Sequence, residues 1–334
     1  LLETYIQSPN FTVNSIGDDS DSNPGDGNCD VGNGDCTLRA AIEEANAYPG
    51  YNVILFDIAG EGPHYIIPDS ELPAVEDPVD LNGRSEPDWA GGPVVAIQGD
   101  NTVEPNGIVF RPTAAYSRMI GMNVSGFSGA GILVEGSGHS IIWSYIGTDI
   151  TGSTSQANGN GIDVMGPYNR FIVNVISGNS DTGINLFSII EEGFYCHHNF
   201  IEGNKIGTDI SGTVALPNYF GININNSGQN MIGGSEPGAG NLISGNNHSG
   251  VILQGANATE NIISGNLIGT MENGTEPLGN TRYGIQVRTS ASNNYIGGLV
   301  EGAGNVISAN GWEGISVGWD GVADGNVVQE NRIG

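Results

Sequence analysis

Tyr145-Ile-Gly-Thr-Asp149 returns as Lys205-Ile-Gly-Thr-Asp209 and Leu267-Ile-Gly-Thr270, then begins again at Arg332-Ile-Gly334. A second motif fills the gaps. Ile176-Ser-Gly-Asn179 recurs as Ile243-Ser-Gly-Asn246 and Ile307-Ser-Ala-Asn310, while Asn230-Met-Ile-Gly-Gly234 and Gly238-Ala-Gly-Asn241 recur in the same order from Asn294 and Gly302. Self-similarity at a near-constant step marks a repeat architecture, in which each unit covers the apolar face of the next.

Inside the long unit runs a shorter one, Gly-Ile/Val-x-apolar, at Gly107, Gly131, Gly161, Gly183, Gly221, Gly250, Gly284 and Gly314. Each segment alternates. In Gly161-Ile-Asp-Val164, Ile162 and Val164 face one way and Asp163 the other, the period of a half-buried strand. The shortest step, from Gly161 to Gly183, fits one turn of a three-sided coil of short strands, and the longer steps leave room for loops. Asn179, Asn204, Asn246, Asn266, Asn310 and Asn331 each end a strand where the chain must turn. Asparagine tolerates left-handed backbone, and amides stacked at one corner hydrogen-bond in a ladder.

Residues 1–105 differ. Thr37-Leu-Arg-Ala-Ala-Ile-Glu-Glu-Ala-Asn46 carries apolar side chains at 38, 41, 42 and 45, one helical stripe with Thr37 as N-cap. At the end of a stack it reads as the cap that solenoids require, with Val53-Ile-Leu-Phe56 starting the strands. The expected organisation is a cap with first coils over 1–105 and repeats over 106–334, one continuous solenoid. The last motif stops at Gly334 in mid-course, so the sequence predicts a native polypeptide that extends further.

Composition excludes several functions. The 334 residues include 37 acidic and 9 basic side chains, a net charge of −28, and Lys205 is the one lysine. Nothing here neutralises phosphates, so a nucleic-acid partner is not expected. No apolar run approaches the roughly 20 residues of a spanning helix. Cys29 and Cys36, too far apart for CxxC chemistry, read as a loop-closing disulfide and hence a secreted, extracellular or cell-surface chain. Cys196-His197-His198 invites a metal reading, but adjacent residues on a strand point in different directions.

The run Cys36-Thr-Leu-Arg-Ala-Ala-Ile-Glu-Glu-Ala-Asn46, with Ile54-Leu-Phe-Asp57, Leu72-Pro-Ala-Val-Glu-Asp-Pro78, Asn82-Gly-Arg-Ser-Glu-Pro87 and the repeats after them, resembles bacterial secreted parallel β-helix repeat proteins. The resemblance implies an all-β fold, a right-handed parallel β-helix with a short N-terminal capping α-helix. It says less of function, because the wider pectin-lyase-like superfamily includes lyases, hydrolases, epimerases, adhesins and surface modules. The pattern is imperfect: Asn169–Ile176 lacks the Ile-Gly-Gly…Gly-Ala-Gly-Asn segment, and Met271 stands where two repeats have Asp.

Outward positions on the Gly-led strands form a polar strip. Arg111, Asp163, Asn185, Phe187, Asn223, Asn225, Gln286 and Arg288 are the candidate glycan-binding residues, since hydroxyl-rich sugars need paired hydrogen bonds and an apolar ring face. Glu135 and Asp163, one coil apart and two residues along, lie about 8 Å apart by strand spacing, inside the roughly 6.5–9.5 Å of an inverting glycosidase pair. Asp19, Asp21, Asn23 and Asp30 occupy positions 1, 3, 5 and 12 of a calcium-loop pattern, with Pro24 where glycine belongs. The competing reading there is an acidic turn pinned by the disulfide. The leading expectation is a non-catalytic extracellular module of a larger surface, adhesive or filament-forming protein, with copies of itself or a cell-surface polysaccharide as partner. The alternative is a carbohydrate-active β-helix, a polysaccharide lyase, glycoside hydrolase or glycan-binding protein, working along the strip.

Overall fold

The computed structural model describes residues 9–100, 105–318 and 320–334. Short strands fall into three parallel sheets of eleven, ten and eight strands, here sheets A, B and C, and the chain visits one after another as it winds. This is a right-handed parallel β-helix, the hand that parallel crossovers adopt. All eight Gly-led segments lie in sheet C, which runs from Ile108–Phe110 to Ile315–Val317. Sheets A and B take strands from both sides of residue 105.

The step from Gly161 to Gly183 is one coil, with Ile162 opposite Ile184, and longer coils carry loops. In sheet A, Ser140, Arg170 and Phe200 stand in register, so the stretch from Tyr145 to Lys205, one long repeat in the sequence, is two coils. Inward side chains therefore stack in columns. Ile141, Phe171, Ile201, Ile232, Ile263 and Ile296 follow one another in sheet A, every one fully buried. Ile146, Ile176, Ile206, Ile243, Ile268 and Ile307 do the same in sheet B. Burying each is worth about 1.5–3 kcal/mol, available only while the neighbouring coil is present.

Asparagines seal the corners. At the turn from A to B, Asn174, Asn204, Asn241, Asn266, Asn305 and Asn331 form a ladder in which each Nδ2 and backbone N–H donate to the next Oδ1 at 2.8–3.1 Å. Asn158, Asn179, Asn218, Asn246, Asn280 and Asn310 make a second ladder at the turn from B to C. A third runs from Asn169 through Asn199, Asn230, Asn261 and Asn294 to Asn326 where sheet A begins. The six asparagines picked from sequence thus divide between two ladders.

The glycines of the short motif follow from this packing. A Cβ on Gly221 would stand 2.5 Å from the Gly250 carbonyl oxygen and 3.1 Å from the Asn246 amide, and Gly284 meets Gly314 and Asn310 in the same way. No side chain fits there.

The cap is as expected, with one addition. Helix α1 (Leu38–Ala47) is capped by Thr37, whose Oγ1 accepts from the Ala40 N–H at 3.0 Å. Leu38, Ala41, Ile42 and Ala45 enter the core beside Phe11, Ile54 and Phe56. The strands begin earlier than Val53, because Asn10–Val13 precedes the helix and pairs in parallel with Asn52–Phe56.

The stack has two measurable consequences. Gly221→Ala should cost about 1–3 kcal/mol in urea unfolding, as overpacking does, whereas Gly17→Ala, whose Cβ would meet only ordinary contacts, should be near neutral. The second concerns His139, which takes a ladder position with no side-chain partner and is fully buried against Phe110. Burial pushes its imidazole down to about 4. The unfolded chain then binds more protons between pH 6.5 and 4, so stability falls with acidification across that window, by about 2 kcal/mol at pH 5. His139→Leu should flatten the slope, and an unchanged slope would contradict this origin.

Candidate functional site

Sheet C carries the proposed strip on its outer face, and there the side chains bind one another before any ligand. Arg288 donates through Nε and Nη2 to Gln254 Oε1 at 3.0 and 2.7 Å. Gln254 Nε2 donates to Asn223 Oδ1, Asn223 Nδ2 to Asn185 Oδ1, and Asn185 Nδ2 to Asp163 Oδ1, each at 2.9 Å. Five consecutive coils are joined by hydrogen bonds that all run one way, from a cation to an anion. Such a chain polarises its members and fixes their rotamers. Each amide still has a second N–H.

The two acids expected as a catalytic pair stand in the assumed register, with Asp163 opposite Leu133. Both are engaged. Glu135 takes Arg111 Nη1 on its two oxygens at 2.8 and 2.9 Å, across neighbouring coils. Asp163 accepts from Asn160 at 3.1 Å as well as from Asn185. Burial raises the Asp163 carboxyl above the ordinary range, helped by the Asp181 charge and opposed by the two amides.

Not every expected strip residue reaches solvent. Gln286 is 2% exposed, its Oε1 lacks a partner, and Ile252 in register with it is fully buried. Gln286 therefore cannot touch a glycan in this conformation. Alternation says which way a side chain leaves the strand, whereas exposure depends on what lies above it. Phe187 and Asn225 sit opposite each other, both half-buried.

An aromatic row beside the strip was missed by sequence reasoning. Tyr219, Phe220 and His248 pack with ring centroids 4.6–5.3 Å apart, and Tyr283 meets Trp312 edge-on at 5.2 Å. Phe220 and Tyr283 directly precede glycines of the motif, and His248 and Trp312 stand two positions before them, so the signal was present. The Arg282 guanidinium lies 4.7 Å from the Trp312 ring. Burial, then the charges of Arg282 and Arg288, push His248 down to about 4, so it is neutral at pH 7. Arg39, Arg111, Arg118, Arg170 and Lys205 are ion-paired to carboxylates, whereas among the described residues Arg84, Arg282, Arg288 and Arg332 are not.

The acidic loop is formed by the disulfide Cys29–Cys36 and by hydrogen bonds to its own backbone. Asp21 accepts from the Asn23 and Asp30 N–H groups at 2.8 and 3.0 Å, and Asp30 from Gly32 and Gly34 at 2.7 and 2.9 Å. Asn23 donates to Asp26, and the buried Glu44 of α1 takes the Gly25 and Gly27 N–H groups. Asp19, Asp21 and Asp30 do not close into one ligand group, since the one such cluster among the described residues lies elsewhere. Cys196 is buried, its thiol pushed up to about 12, and it accepts from Asn199 rather than joining His197 and His198.

No protein-family profile matches this chain, and no curated protein does. Solved structures align with it along most of its length at low identity. The periplasmic alginate epimerase AlgG aligns at 13% identity over 85% of this chain and 70% of its own, with a TM-score of 0.43. The A-module of the Azotobacter vinelandii mannuronan C-5 epimerase AlgE6 gives 14%, 88%, 85% and 0.42. PfbA, a surface adhesin of Streptococcus pneumoniae, gives 13%, 84%, 79% and 0.28. At such identities and scores the likeness says nothing about chemistry.

Proposed function

We propose that this chain is a non-catalytic extracellular module that holds a carboxylated polysaccharide along the outer face of sheet C. The observation that supports it is the meeting of Arg282 and Arg288, outside any described ion pair in a chain of net charge −28, with the half-exposed Trp312 and an amide strip locked in place. Arginine matches carboxylate geometry, ring faces suit the apolar side of a sugar, and the remaining amide N–H groups suit hydroxyls. The disulfide favours an exported location. A second reading, hydrolysis, is favoured by the raised Asp163 carboxyl near Glu135, since a general acid needs such a shift.

Calorimetry with oligogalacturonate and a neutral glucan separates these readings. The binding reading expects Arg288→Gln and Trp312→Ala each to weaken oligogalacturonate binding about tenfold, roughly 1.4 kcal/mol, with no new reducing ends or unsaturated product. Parent-like affinity in both variants, or no binding by the parent, rejects it. Product that disappears in Asp163→Asn establishes the enzyme instead.

A further inference from the structure

Near the capped end, away from sheet C, three side chains converge. His64 opens the strand His64–Ile66, its N–H held by the Val94 carbonyl at 2.8 Å. One coil later the 3-10 turn Gly83–Ser85, capped by Asn82, delivers Glu86 and then Asp88. A ligand atom from each of the three residues lies within 4.8 Å of the others, with His64 Nε2 3.7 Å from Glu86 Oε1. His64 is 7% exposed and its Nε2 has no hydrogen-bond partner, a costly state for a buried polar atom. The carboxylates are already aimed. Glu86 Oε2 accepts the Ile58 N–H at 3.1 Å, and Asp88 Oδ2 accepts the Gly62 N–H at 2.7 Å.

We propose that His64, Glu86 and Asp88 bind one divalent transition-metal ion, with Zn2+ the natural probe. Zinc takes mixed nitrogen and oxygen ligands at about 2.0–2.2 Å, which places tetrahedral ligand atoms about 3.4 Å apart, close to the 3.7 Å between His64 Nε2 and Glu86 Oε1. Calcium prefers six to eight oxygens and has little use for an imidazole. The backbone amides on Glu86 and Asp88 are the outer-shell contacts that orient metal ligands. Asp88 is exposed and, with Glu61, Gly62 and Thr151, lines a cavity of about 410 Å³ beside the cluster.

The test uses chelator-treated full chain. Calorimetry should show one Zn2+ per chain and no comparable Ca2+ uptake, and Co2+ should give visible bands of a four-coordinate site. Asp88→Asn, a change at an exposed position, and His64→Gln should each weaken Zn2+ binding at least tenfold, with the far-UV spectrum of the parent. The His197→Ala/His198→Ala double variant should bind as the parent does. Undiminished binding in Asp88→Asn, loss in the double variant, or no Zn2+ uptake by the parent overturns the assignment.

Discussion

The structure depends on the buried asparagine amide that hydrogen-bonds to the same amide one coil away. Along most of each ladder an asparagine donates Nδ2–H and its backbone N–H to the next Oδ1, as Asn204 does to Asn241. A corner backbone turning inside a core would otherwise bury unpaired polar groups, each costing about 1–3 kcal/mol. The ladders answer that cost for three corners at once. They also set the pitch, because an amide pair of 2.8–3.1 Å is satisfied only when coils lie at strand spacing. The isoleucine columns inside and the glycine entrances to sheet C are consequences of the same stacking.

The outer strip repeats this logic with a direction. Inside, asparagine meets asparagine. Outside, Arg288 at one end and Asp163 at the other orient Gln254, Asn223 and Asn185 between them. A rigid amide track loses little further entropy when a ligand settles on it. The aromatic row and Arg282 lie beside this track, so shape, charge and hydrogen bonding meet on one face of the rod.

Much of the fold was legible because repetition is a sequence property. The Gly-led segments became the eight strands of sheet C, and Thr37 caps the helix through Ala40. What escaped depends on which coil faces which. Asn179 and Asn204 look alike in sequence yet sit at different corners, since one long repeat holds two coils. The third ladder hid because its flanks vary, as in Tyr168-Asn169-Arg170 and Gln229-Asn230-Met231. The site was less legible still. That Glu44 of the helix would take the Gly25 and Gly27 amides, folding the acidic loop onto the cap, is a matter of packing that loop spacing does not encode. His64 and Glu86 belong to successive coils, and only the winding brings them together.

Native-state hydrogen exchange on Asn241→Leu, with Asn331→Leu for comparison, bears most directly on the ladders. Removing a mid-ladder amide takes from Asn204 the Oδ1 that accepts both its backbone N–H and one Nδ2–H, whereas Asn331 ends its column among the described residues. Protection of the Asn204 N–H and of amides in the adjoining coils should drop at least tenfold in Asn241→Leu and stay at the parent level there in Asn331→Leu. Parent-like protection around Asn204 in Asn241→Leu would mean that the coils hold together without their asparagines.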